Sequence, residues 1–184
     1  MQQLVSSTWI FLVIVELGLV LFLSFRIQKM SPAAAASSFL VYSLLNGLTL
    51  SAIFFVYSLG SIFQAFVVAG GMFAAMSIYG YTTKKDLTSW GSFLFMGLIG
   101  IILAAVVNFF FQSAMMSFVI SVIGVIVFVG LTAYDTQKLK SYSAVAAGAG
   151  ERATNLAVIG ALALYLDFVN LFLMLLRLFG GSRD

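Results

Sequence analysis

An aspartate stands near the centre of this chain's last apolar stretch, Leu156 to Leu176, with Tyr165 two residues before it and Asn170 three after. Leaving a carboxyl such as Asp167 at that depth of a membrane-spanning helix costs roughly 2.5–3.5 kcal/mol, so the residue is read as functional by default. A second acid, Asp135, closes the preceding apolar segment, Val119 to Tyr134. The chain has six acids in 184 residues and no histidine or cysteine. Zinc sites, disulfides and Cys/His or Ser-His nucleophilic chemistry are therefore excluded. The side chain that ordinarily titrates near neutral pH is absent. Any response to pH near neutrality must come from displaced carboxyls.

The elements that position these acids follow from composition. Hydrophobic residues make up 62% of the chain and charged residues 8%, with a mean hydropathy of +1.14. Soluble domains carry about 25% charged residues. The fold class is all-α: a polytopic membrane bundle forming one integral membrane domain over residues 1–184. Six segments are long enough to cross a core of about 30 Å, near 8–26, 37–58, 61–82, 89–111, 116–136 and 156–178. The net charge of +3 is too small and dispersed for nucleic acid. The N-terminus has no basic run before its apolar segment, so no cleavable signal is expected. Basic residues alternate between loops: Arg26 and Lys29, then none, Lys84 and Lys85, then none, then Lys138, Lys140 and Arg152. The positive-inside rule puts the basic loops in the cytoplasm and both termini outside.

Four charged residues lie within or at the margins of the first and last spans. Glu16 and Arg26 are ten residues apart, as are Asp167 and Arg177, an interval of about 15 Å along a helix. These two spans run in opposite directions. If Glu16 is level with Arg177, then Arg26 is level with Asp167. Flanking arginines also snorkel to the interfaces, and both readings stand for Arg26 and Arg177. Asp135 has Lys138 one turn on as a local partner. Asp167 has no charged residue beside it, though Asn170, Tyr165 or Tyr134 could hydrogen-bond to it. By helical rise Asp167 lies about 16 Å into the membrane. Asp135 reaches that depth only if its helix continues to about Tyr142.

These segments resemble the Bax-inhibitor (transmembrane Bax inhibitor motif) family. The resemblance rests on Ala133-Tyr134-Asp135-Thr136-Gln137-Lys138, on Leu164-Tyr165-Leu166-Asp167-Phe168-Val169-Asn170, and on Leu176-Arg177-Leu178-Phe179-Gly180. The loop Lys84-Lys85-Asp86, Glu16 and the basic exit of the first span add to it. The resemblance covers essentially the whole chain. It implies seven helices, six of them around a central last one. Six are supplied here, the first resembling the family's second, so an initial helix is expected to be either truncated from this sequence or absent. The resemblance further implies that Asp135 and Asp167 pair, and that a basic residue, Arg26 here, latches them. The implied function is that of a pH-sensitive calcium leak pathway in a bacterial inner membrane. Calcium is then the transported or transiently bound species, and no resident cofactor is expected. Two carboxyls in a dry site share a proton and titrate as one unit, and calcium takes oxygen ligands. Glu16 and Arg177 form a secondary ion pair in this reading, with Asn170 and Tyr134 around the acids.

Two other readings compete. One is a non-conducting modulator of a membrane protease or of stress survival. The other is an intramembrane aspartyl protease, which the sequence disfavours. Tyr165 stands where such enzymes place a glycine, and Pro32 is the sole proline, so no downstream Pro-Ala-Leu element exists. The expected partners are the bilayer, calcium and a membrane protein.

Overall fold

The computed structural model describes residues 15–16, 18–23, 25–145 and 151–180. Residues 18–23 and 25–26 are helical and run into a short 3-10 turn, Ile27–Lys29. Residues 8–14 of the first expected span, together with 17 and 24, lie outside the described residues. Ser31 then starts helix α1 (Pro32–Leu50). Its hydroxyl accepts from the Ala34 amide at 3.3 Å, and Pro32 takes the first helical position, where it lacks no needed donor. A short helix, α2 (Ile53–Val56), continues that span after a break at Ser51-Ala52. Ser58 caps α3 (Leu59–Thr82), accepting from the Ser61 amide at 3.2 Å. Helix α4 covers Thr88–Phe111 and ends on Gln112, whose φ of 50° is left-handed. Asn108 braces that turn: its side chain accepts from Ser113 N at 3.0 Å and donates to Ser117 Oγ at 2.7 Å.

The last two helices are the longest. Helix α5 runs Ala114–Val145 and α6 runs Glu151–Phe179. Among the described residues, five helices are long and apolar enough to cross a membrane. At 32 residues α5 is about 48 Å long, more than a bilayer core requires. It therefore continues beyond Thr136, through Lys138 and Lys140. That extension meets the condition under which Asp135 reaches the depth of Asp167.

Helix α6 is central. It packs on α5, α3, α1 and the Ile27–Lys29 turn, and Leu171 and Leu176 on it are fully enclosed. One core joins α3, α4, α5 and α6 around Phe128, Leu131, Leu171 and Leu175. A second joins the first segment and α1 to α6 through Leu23, Ile27, Tyr42 and Leu162. Large apolar side chains such as Leu44, Phe55 and Phe110 point outward. In a soluble protein such a surface would be a liability; here it is the face that meets lipid. Helix α4 packs on α5 and stands off from α6. The gap left between them is the cavity described next.

Candidate functional site

Antiparallel packing of α5 against α6 brings the two aspartates together. A side chain at Gly160 would strike Leu139, and one at Gly124 would strike Met174. These two close approaches set the register of the helix pair. With Leu139 facing Gly160 and Gly124 facing Met174, Asp135 falls within one turn of Asp167. The two carboxyls lie close enough for each to act on the other's protonation. An ionised carboxyl only accepts, so a bond between two of them needs a proton on one. Asp167 is 4% exposed, and its Oδ2 has no hydrogen-bond partner among the described residues.

Both acids line a cavity of about 790 Å³ between α4, α5 and α6. Tyr134, Lys138, Asn170 and Arg177 line it as well. Its α4 wall is apolar, with Phe95, Leu98 and Ile101. The Lys138 ammonium sits over the rings of Tyr134 (5.5 Å) and Tyr142 (6.0 Å). It feels the charge of Asp135 without an ion-pair contact. Arg177 is exposed and lies ten residues beyond Asp167, about 15 Å along the helix. The Asn170 amide donates to Leu166 O of its own helix at 2.8 Å, and no hydrogen bond joins it to Asp167 among the described residues. Among the described residues no three of His, Cys, Asp and Glu converge. Calcium takes roughly six to eight oxygens, so at this pair carbonyls and water would have to complete its shell.

The matched ten-residue spacing did not set the register expected from it. Glu16 accepts from Asn46 Nδ2 at 3.2 Å and from the Thr49 hydroxyl. The Tyr165 hydroxyl in turn donates to Asn46 Oδ1 at 2.9 Å. Glu16 thus lies at the depth of Tyr165, not of Arg177. At the other end of the first segment, Asn155 Nδ2 donates to Met30 O at 2.8 Å. Arg26, four residues before Met30, is exposed and level with the early turns of α6. Asp167 is twelve residues beyond Asn155, about 18 Å further. Neither the Glu16–Arg177 pair nor an Arg26 latch on the aspartates is formed in this arrangement. The reason is geometric. Equal spacing on two helices fixes differences in depth and leaves their relative height free. The polar partners of Glu16 were not read from sequence; Asn46 and Thr49 inside an apolar span were the available signal.

A helical bundle wrapped on its last helix, with paired acids on that helix and its neighbour, defines an integral membrane protein with a polar site inside the bilayer. The family model described as inhibitor of apoptosis-promoting Bax1 matches residues 1–184. The chain belongs to the Bax-inhibitor family. It is 54% identical over 180 residues to the inner membrane protein YbhL of Escherichia coli K12, covering 94% of this chain and 74% of that one. An uncharacterized protein of Borreliella burgdorferi is 46% identical over 179 residues, covering 97% of this chain and 77% of its own length. An uncharacterized membrane protein of Streptococcus pyogenes serotype M1 is 47% identical over 170 residues, covering 92% and 72%. The protein is an integral membrane protein of the bacterial inner membrane.

Proposed function

We propose that this chain is a pH-sensitive calcium leak pathway with Asp135 and Asp167 as its sensor. One observation carries the reading: two acids that act on each other's charge line one cavity of an otherwise apolar bundle. While they share one proton, the pair holds a single negative charge. Losing that proton leaves two like charges in contact, which repel and attract a divalent cation more strongly. The cavity then offers carboxylate oxygens to calcium, with Asn170 and backbone carbonyls nearby. Lys138 on α5 is the charged group that feels Asp135, and Arg177 on α6 and the Tyr134 hydroxyl line the same cavity. The activity is passive and non-enzymatic.

The test is calcium flux against pH in proteoliposomes, for wild type, Asp135→Asn, Asp167→Asn and the double variant. Each single substitution should flatten the pH dependence between about pH 6 and 8, and the double should add little, because a coupled pair titrates as one unit. Independent, additive effects of the two singles would sink the coupled sensor.

A second reading is favoured by the description of the matching family model, which names an inhibitor. In it the chain modulates a membrane protease or stress survival without conducting. Wild-type proteoliposomes with no calcium flux at any pH would favour this reading over the first.

A further inference from the structure

We propose that the pocket at the basic end of the bundle, between the 83–88 loop and α5, binds the phosphate of an anionic membrane lipid. The pocket encloses about 340 Å³ and is lined by Lys84, Lys85 and Lys138, with Tyr134, Gln137 and Ser141 completing its wall. Volumes of this order suit small-ligand groups. Basic residues at this end have an ordinary meaning, which is topology. Several features go beyond it.

The loop is held as a wall. Gln137 accepts from Leu87 N at 2.9 Å and donates to Lys85 O at 2.8 Å, so one side chain on α5 pins the loop at two points. The acid in the lining, Asp86, is already engaged. It accepts from Thr88 N at 2.9 Å and from the Thr88 hydroxyl at 2.6 Å, which hold its carboxyl below the usual range. None of the three lysines makes an ion pair with an acid among the described residues. Lys138 is positioned by the rings of Tyr134 and Tyr142 instead. Three lysines and one ionised carboxylate therefore line the cavity, which leaves its wall with a net positive charge.

The place selects the source of the phosphate. The pocket lies where α3 ends at Thr82 and α4 begins at Thr88, the boundary of two membrane spans. Tyr81 and Trp90 stand exposed beside it, as aromatic residues do at the headgroup level. Basic pockets between helices at that level take anionic headgroups. Lys138 and Tyr134 also line the acid cavity, so a headgroup here sits across one lysine from Asp135.

The full chain, purified in detergent, is titrated with phosphatidylglycerol or phosphatidylcholine and read by native mass spectrometry. Phosphatidylglycerol should be retained in preference, and each Lys→Gln change at 84, 85 or 138 should weaken it about fivefold. Ser141→Phe keeps every lysine but fills the pocket, and should weaken retention at least as much as Lys84→Gln. Variants are compared as monodisperse protein with wild-type helical content. A parallel titration uses inorganic phosphate. Displacement of the lipid by phosphate supports a site that reads the phosphate group from either source. Retention against phosphate supports the lipid as its source. Equal retention of both lipids overturns the proposal. So does full retention in Ser141→Phe, because the lysines would then act as a diffuse surface charge. None of these outcomes depends on whether the chain conducts calcium.

Discussion

The bundle buries carboxyls in two places at similar depth and accommodates them in opposite ways. Glu16 is surrounded by neutral donors, with Asn46 and Thr49 bonded to it and Tyr165 bonded to Asn46. Asp167 has a second acid as its partner and one oxygen left unbonded. Neutral donors satisfy a carboxylate without gaining or losing a proton. Two carboxyls bond only through a proton they share. The first arrangement fastens the initial segment to α1 and α6. The second, in the function proposed above, shares a proton beside a cavity lined by both acids. Burial alone therefore does not mark an acid as a sensor; the chemistry of its partner does.

The sharpest way to break this comparison is to neutralise each acid in turn. Asp167→Asn should abolish most of the pH-dependent part of calcium flux, whereas Glu16→Gln should leave the shape of the pH profile unchanged. A profile flattened equally by Glu16→Gln would show that both acids belong to one titrating system. Packing around the pair comes next. Gly160→Leu forces a side chain into Leu139 between α5 and α6. It should cost about 1–3 kcal/mol of stability, the usual range for overpacking, read by chemical denaturation in detergent. The same variant should shift the midpoint of flux against pH, since it spreads the helices that hold the acids.

Glu16→Leu removes an acceptor from buried Thr49 and half-buried Asn46 and should cost about 1–3 kcal/mol. The low end is expected, because the Thr49 hydroxyl also reaches Leu45 O at 3.2 Å. Glu16→Gln, which keeps an acceptor, should cost less, and denaturation of the two variants side by side checks the order. The smallest effect belongs to exposed Asp86. Its carboxyl is held below the usual range by Thr88, so its contribution is present above that range and fades as pH falls through the lowered value. Asp86→Ala should lower the melting temperature slightly at neutral pH and not at all once wild-type Asp86 is protonated.

Much of this protein could be read without a structure. The apolar segments near 61–82, 89–111 and 156–178 lie inside helices α3, α4 and α6, because a bilayer demands about twenty apolar residues per crossing whatever surrounds them. Boundaries failed where polarity misled. Helix α1 begins at Pro32 rather than near 37, since Ser31 and Pro32 start helices as readily as they break them. Helix α5 runs on to Val145 through Lys138 and Lys140, since leaving the bilayer does not end a helix. Asp167 was singled out by cost alone: a carboxyl deep in an apolar span is expensive wherever its partner lies. The identity of that partner was a tertiary matter. Asp135 meets Asp167 because glycines at 124 and 160 set how α5 and α6 slide against each other. The heights of Glu16 and Arg26 were decided in the same way, by Asn46, Thr49 and Asn155 on other helices. Spacing along one helix carries no information about the height of the next; only side chains in contact supply it.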